Sequence, residues 1–306
     1  MSKQTVEQIG EFGLIEEIKK WLGPVPKKIR GIGDDTAVFR ASAGMNQLLT
    51  IDTVVENVDF IRAKADPEQI GRKALGINLS DIAAMGGIPK VAVVSLVLPQ
   101  WIEVSFVKAF YEGIATLAKK FKVFIVGGDL SKGPVVSCSI ALLGEADPKF
   151  TIYRNKAKAG DFICVTGRLG GSILSKQFNF IPRIAEGQFL ARQGVSAMID
   201  ISDGLCQDLK HITDESKVGG MIDERKVPIS KDALKLAQGN QKAALEHAMT
   251  DGEDFELLFT IAEDRLYALE RAWKKRFQTP LTQIGKIVAR DNATLEMRKR
   301  LGFQHF

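Results

Sequence analysis

The chain has 306 residues, 45% of them hydrophobic and 26% charged, with 42 basic against 37 acidic side chains and a formal charge of +5. Disorder requires low hydrophobicity and high net charge, so this composition excludes an unfolded chain and points to globular structure in about two domains. The basic excess is dispersed in short clusters (Lys27-Lys28, Lys274-Lys275-Arg276, Arg298-Lys299-Arg300) that read as solvated surface, and no nucleic-acid motif accompanies them.

The first predicted element is an amphipathic helix over 5–21, whose acids among apolar residues argue against a signal peptide. A β-branched run predicts a strand over 47–51. Asp66-Pro67 then caps a helix over 68–85 that stops at Gly86-Gly87. A strand over 91–98, a helix over 103–121 and strands over 123–126 and 135–143 follow. Asp147-Pro148 and the polar string from Tyr153 to Lys158 mark a seam at 145–160, which divides the chain into domains 1–147 and 148–306. Beyond it come strands over 162–165, 197–201, 255–261 and 284–288, with helices over 204–215 and 264–277. The alternation predicts a mixed α/β protein.

Cys138, Cys164 and Cys206 lie far apart, and no CxxC pair occurs. That count argues against a disulfide framework or a zinc site and fits a reducing cytoplasm. No run approaches the ~18 apolar residues of a membrane span.

The usual ATP devices are missing: no GxxxxGK[ST], no kinase HRD or DFG set, and no GxGxxG after a strand. His211, His247 and His305 are dispersed, which disfavours a histidine-led mechanism or a histidine metal cluster. Aspartates form the distinctive pattern instead. Asp52 ends the run LLTID, Asp129 ends VFIVGGD, Asp200 ends AMID, and Asp203 follows closely. Asp34-Asp35 sit among glycines, and Asp81 interrupts the helical string NLSDIAAMGG. A single carboxylate at a strand end is ordinarily a turn residue or cap. Several of them gathered in one place would repel each other unless a hard cation such as magnesium, which shares oxygen ligands with phosphates, lay among them.

Those residues belong to longer strings: GIGDDTAVF (31–39), DTVVENVDF (52–60), KALGINLSDIAAMGGIP (73–89), GGDLSKGP (127–134), VTGRLGGS (165–172), IDISDGLCQDL (199–209), DGEDFELLFT (251–260) and the terminal GFQHF. In this order they resemble the thiamine-monophosphate kinase family, within the superfamily of aminoimidazole ribonucleotide synthetase, selenophosphate synthetase and the hydrogenase maturation protein HypE. The resemblance implies a two-domain α/β (α+β) fold, with an N-terminal domain that binds ATP and magnesium and forms a dimer barrel, and a C-terminal α/β domain. ATP would lie between the domains.

By matching position, Asp35, Thr50, Asp52, Asp81, Asp129 and Asp200 would hold magnesium ions, and Asp203 a further one. Gly128 and Ser202 would contact the nucleotide, and Arg154 its phosphates. Asp52, Asp129 and Arg154 are thus the expected catalytic set. The implied activity is magnesium-dependent transfer of phosphate from ATP to thiamine monophosphate by a cytoplasmic homodimer, with no nucleic-acid or membrane partner.

The acceptor side departs from the family pattern. Asp59 stands where the DxxVEGVHF motif has its histidine, Asn57 replaces its glycine, and Arg300 replaces an aromatic residue near the C-terminal glycine. Asp59, Glu253 and Arg300 are the expected substrate contacts. The segment between Gly171 and Pro182 is also shorter than in the family pattern. These departures leave open another small phosphorylated acceptor, or an ATP-binding homologue without turnover.

Overall fold

The computed structural model describes residues 4–29, 31–32 and 36–290, so the expected roles of Asp34, Asp35, Arg300 and the terminal GFQHF lie outside the described residues. Two compact units emerge: Met1–Ile82 with Ile88–Ala146, and Ala83–Gly87 with Asp147–Phe306.

The first unit is built from α1 (Val6–Leu22), β1 (Asn46–Val55), α2 (Pro67–Ala84), β2 (Ile88–Leu98), α3 (Val104–Phe121), β3 (Phe124–Lys132) and β4 (Ser137–Ala146). Its four strands run in the order β1-β4-β2-β3, with β2 and β3 parallel and the other pairs antiparallel. Helix α1 begins with a capping box between Thr5 and Gln8. Helices α2 and α3 approach closely because both lack a side chain at the crossing. A Cβ on Gly71 would collide with the Phe110 carbonyl, and one on Gly113 with the Glu68 carbonyl.

Strand alternation divides the sheet into two faces. Val94 and Leu96 of β2 and Cys138, Ile140 and Leu142 of β4 are buried, whereas Leu49, Ile51 and Val93 are exposed. Register aligns the exposed residues in rows: Ile51 pairs with Ala141, which pairs with Val93. The next row runs Thr53, Ser139, Ser95, Asp129 across all four strands.

The second unit contains β5 (Phe162–Thr166), α4 (Lys176–Asn179), α5 (Ile184–Gln193), β6 (Ala197–Asp200), α6 (Leu205–Ser216), β7 (Gly219–Ile222), α7 (Lys231–Leu236), α8 (Gln241–Thr250), β8 (Leu257–Ile261), α9 (Glu263–Arg276) and β9 (Leu281–Val288). The strand order is β6-β8-β5-β9-β7, and every pair is antiparallel. Ile163, Val165, Leu205, Leu209, Ile212, Leu258 and Ile284 anchor one buried core.

Two strands continue past the aspartates expected to end them. Asp52 lies inside β1 and Asp129 inside β3. The glycines before Asp129 do not terminate β3, because Gly128 lies against β2, where a Cβ would meet the Val94 carbonyl. Strand β8 begins two residues later than expected, since Phe255 has φ 48° and is outside the extended region. Among the described residues, β7, α4, α5, α7 and α8 were not anticipated.

Candidate active-site residues

In the first unit, Thr50 and Asp52 are two apart on β1 and therefore share a face. Asp81 on α2 meets both. The Thr50 hydroxyl donates to Asp81 Oδ2, and the carboxyls of Asp52 and Asp81 are in contact. Burial and the Asp81 charge push Asp52 up to about 7. Two carboxyls that close need a proton or a cation between them. The set consists only of hard oxygen donors, which suits magnesium.

Gly128 and Asp129 sit elsewhere on this sheet. Asp129 belongs to the row with Thr53, so alternation assigns it to the face opposite Asp52, on the far edge strand. The Ser131 hydroxyl donates to Asp129 Oδ2 at 2.9 Å.

Asp59 turns back on its own loop. Its Oδ2 accepts the Val55 N–H at 2.7 Å, while its carbonyl accepts from Lys73 Nζ at 2.9 Å. Lys73 is only 1% exposed, so a buried side chain anchors the segment in which Asp59 was expected to contact substrate. Asn57 takes φ 70°, a left-handed conformation that asparagine tolerates well and that its glycine counterpart would also adopt.

In the second unit, two loops run side by side. Glu253 N donates to the Ser202 carbonyl at 2.7 Å, and Phe255 N to the Ile201 carbonyl at 2.8 Å. These bonds hold Glu253 at φ 52° and Phe255 at φ 48°, an uncommon region for residues with a Cβ. Gly252 is needed beside them, because a Cβ there would meet the Ser202 carbonyl at 2.5 Å. Asp200, Ser202, Asp203 and Glu253 are thus gathered at one end of β6. Arg154 is not with them: its carbonyl accepts from Ser216, and its guanidinium lies 3.7 Å from Glu215. Both partners stand at the far end of α6, roughly 15 Å along the axis from Asp203.

Asp208, which the sequence did not single out as a site residue, organises this loop. Its Oδ2 accepts the N–H groups of Ser202, Asp203 and Gly204, each at 3.1 Å. Burial, with Asp200 and Asp203 nearby, pushes its carboxyl up to about 8. His211, one turn further along α6, brings a ring nitrogen within 4.8 Å of carboxylate oxygens of Asp203 and Asp208. Dispersal of the histidines along the chain therefore did not keep this one from a possible ligand cluster. The spacing of 208 and 211 on a predicted helix was the available signal.

Asp254 and Glu256 are clamps. Asp254 accepts the Gly170 N–H at 2.8 Å and the Ser172 hydroxyl at 2.9 Å. Glu256 accepts two bonds from Arg183, each at 2.7 Å, and one from Thr166 at 2.7 Å. Burial would raise the Glu256 carboxyl, yet Lys176 and Arg183 hold it below its ordinary value. The glycines of VTGRLGGS make these contacts possible, since a Cβ on Gly167 would strike the Glu256 carboxylate.

The chain matches two family models: AIR synthase related protein, N-terminal domain, over residues 33–146, and AIR synthase related protein, C-terminal domain, over residues 158–298. The thiamine-monophosphate kinase of Rhodopirellula baltica is 38% identical, the alignment covering 87% of this chain and 85% of that protein. This chain belongs to the thiamine-monophosphate kinase family. A crystal structure of the family from Stenotrophomonas maltophilia K279a superposes with TM-score 0.81 at 32% identity, covering 92% of this chain and 94% of that one. A structure of AaThiL complexed with AMPPCP and TMP covers all of both chains at 31% identity with TM-score 0.75. The thiamine-monophosphate kinase fold expected from the ordered motifs, with its two AIR synthase related domains, is thereby established, as is the mixed helix and sheet class.

Proposed function

We propose that this chain phosphorylates thiamine monophosphate to thiamine diphosphate at the expense of ATP and with magnesium, as a homodimer in a reducing cytoplasm. The observation that carries the reading is the Thr50–Asp52–Asp81 cluster, an oxygen-only set with one carboxyl pushed up to about 7. The solved AaThiL complex contains AMPPCP, an ATP analogue whose methylene replaces the oxygen bridging the β- and γ-phosphorus atoms, together with TMP, which supports this pair of substrates here.

The residues fit magnesium by donor chemistry: Thr50, Asp52 and Asp81 would hold one ion in the first unit, and Asp200 and Asp203 would serve in the second. When bound, magnesium neutralises the triphosphate and the charge that develops on the transferred phosphoryl group. The acceptor phosphate has a second pKa near ~6 and is largely dianionic at neutral pH, so no general base is required. The protein's task is to position two polyanions. Ser202 and Glu253 are held for this by the paired loops, and Gly128 presents backbone without a side chain. Asp35, Asp129 and Arg154 are assigned to the same chemistry by motif position.

The open face of the first sheet supports the dimer. Leu49 is 75% exposed and Ile51 65%, an apolar surface that a second copy of the sheet would cover. The three cysteines are free and buried, which suits a reducing compartment.

Incubation with magnesium and ATP should convert thiamine monophosphate to thiamine diphosphate with one ADP released per product. Asp52→Asn should lower kcat at least ~100-fold, the scale of a lost transition-state charge contact. ADP release with another phosphorylated acceptor, and none with thiamine monophosphate, would overturn the acceptor assignment.

A further inference from the structure

The second unit contains a cleft of about 630 Å³ lined by Lys149, Lys156, Lys158 and Arg265 around apolar Ile152 and Val195. Ser196, another lining residue, directly precedes β6, and Asp200 closes that strand at its other end. Four strand residues span about 13 Å, so the cleft opens away from the loops that carry Asp200, Ser202, Asp203 and Glu253. None of those four residues lines it.

The charge balance in the cleft is one-sided. Against four basic side chains stands a single acid, Asp161, and its Oδ2 is already engaged by the Ser196 hydroxyl at 2.5 Å and the Lys158 N–H at 3.0 Å. The basic residues are exposed at the rim, whereas Ile152 and Val195 are buried beneath them. Tyr153 adds an aromatic ring to the wall, with Lys156 Nζ 4.7 Å from its centroid. Arg154 does not contribute, being turned towards Glu215.

We infer that this cleft is a second ligand site, one that takes a phosphorylated small molecule carrying a ring and binds it without magnesium. A volume of this size admits a small metabolite. Lysine and arginine at the rim supply charge-assisted bonds to phosphate oxygens, and the apolar floor with Tyr153 supplies contact for the ring. Independence from metal follows from the lining, because the cations there are side chains. The aspartate loops, in contrast, repel a polyanion unless magnesium is present.

The test is titration of the whole protein with phenyl phosphate in excess EDTA, followed by calorimetry and by backbone amide shifts. Saturable one-to-one binding is expected, with shifts confined to 149–161, 191–196 and 262–265, and with weaker binding of inorganic phosphate. Lys158→Glu with Arg265→Glu should weaken it at least ~10-fold, each lost bond at this exposed rim being worth about threefold or more, while leaving the KM for ATP unchanged. Lys158→Gln alone, a milder surface change, should weaken it about threefold. Asp203→Asn should have no effect. The inference is overturned by absence of saturable binding, by binding that survives both charge reversals, or by binding that Asp203→Asn abolishes.

Discussion

Asp208 Oδ2 accepts the main-chain N–H of Asp203 at 3.1 Å, so a buried carboxyl fixes the backbone of a half-buried acid five residues earlier. Asp208→Ala would leave three N–H groups without their acceptor, at a cost of about 3 kcal/mol or more. Asp208→Asn keeps an oxygen for those bonds but cannot ionise when a cation joins Asp200 and Asp203. Urea denaturation should therefore show large destabilisation for the alanine variant and little for the asparagine variant. Magnesium titration should show weaker binding for both.

Asp52 and Glu145 should give opposite pH signatures. The Asp52 carboxyl is raised from 3.8 to about 7, so its contribution is complete below the unfolded value and is lost as pH rises through 7. The loss is at most about 4 kcal/mol. In EDTA the wild type should lose stability between pH 4 and 8, magnesium should restore it, and Asp52→Asn should flatten this limb. A metal-free wild type equally stable at pH 5 and pH 8 would remove the basis for this expectation.

Glu145 behaves in the reverse sense. Burial would raise its carboxyl, but bonds from Ser42 and Lys90 bring it from 4.5 down to about 2. Ser42 N donates at 2.8 Å, its hydroxyl at 2.7 Å, and Lys90 Nζ lies 3.0 Å away. Its contribution is present above pH 4.5 and is lost as pH falls towards 2. Glu145→Gln should cost about 1–3 kcal/mol at pH 7 and progressively less in acid, as read from thermal melts across pH.

Lys73→Met should separate stability from substrate handling. The substitution fills the buried volume but leaves the Asp59 carbonyl without its donor, so the 56–60 loop should loosen. Moderate destabilisation of about 1–3 kcal/mol is expected. Steady-state kinetics should show a higher KM for the phosphorylated acceptor with the KM for ATP nearly unchanged. An equal rise in both would assign Lys73 a purely structural role.

Glu256→Gln should weaken the Arg183 clamp and leave that half-buried guanidinium with Glu186, 3.6 Å away, as an acidic neighbour. Losing the charge of one partner, with Glu186 and one amide oxygen retained, should cost on the order of 1–3 kcal/mol. The effect should appear in equilibrium unfolding, with kcat of the folded fraction close to wild type.

Sequence pattern reached some of this architecture and not the rest, for identifiable reasons. Asp81 was legible because NLSDIAAMGG keeps a helical period that a single carboxylate interrupts. The faces of the first sheet were not, because they depend on register: Asp52 and Asp129 resemble each other as strand-borne acids, yet pairing through β4 and β2 puts them on opposite sides. Helix α5 was missed because Gly187 interrupts its apolar run, and that glycine exists for close approach to the Ala83 carbonyl. Strand β7 is only four residues long and half glycine. Asp208, Asp254 and Glu256 read as ordinary acids until the partners they reach, up to 90 residues away for Glu256, are known.

The left-handed backbone at Glu253 and Phe255 turns Phe255 inward beside Asp254 and Glu256, where simple alternation would send it out. It leaves Glu253 at the surface loop and sends Asp254 and Glu256 inward, so three acids within four positions follow separate duties. Deleting one residue between Asp251 and Glu256 would slide each acid into its neighbour's place. An inward-facing carboxylate would be carried to solvent, and the outward one would be forced among groups that cannot neutralise it. The spacing of this hexapeptide is consequently under tighter constraint than its chemical composition.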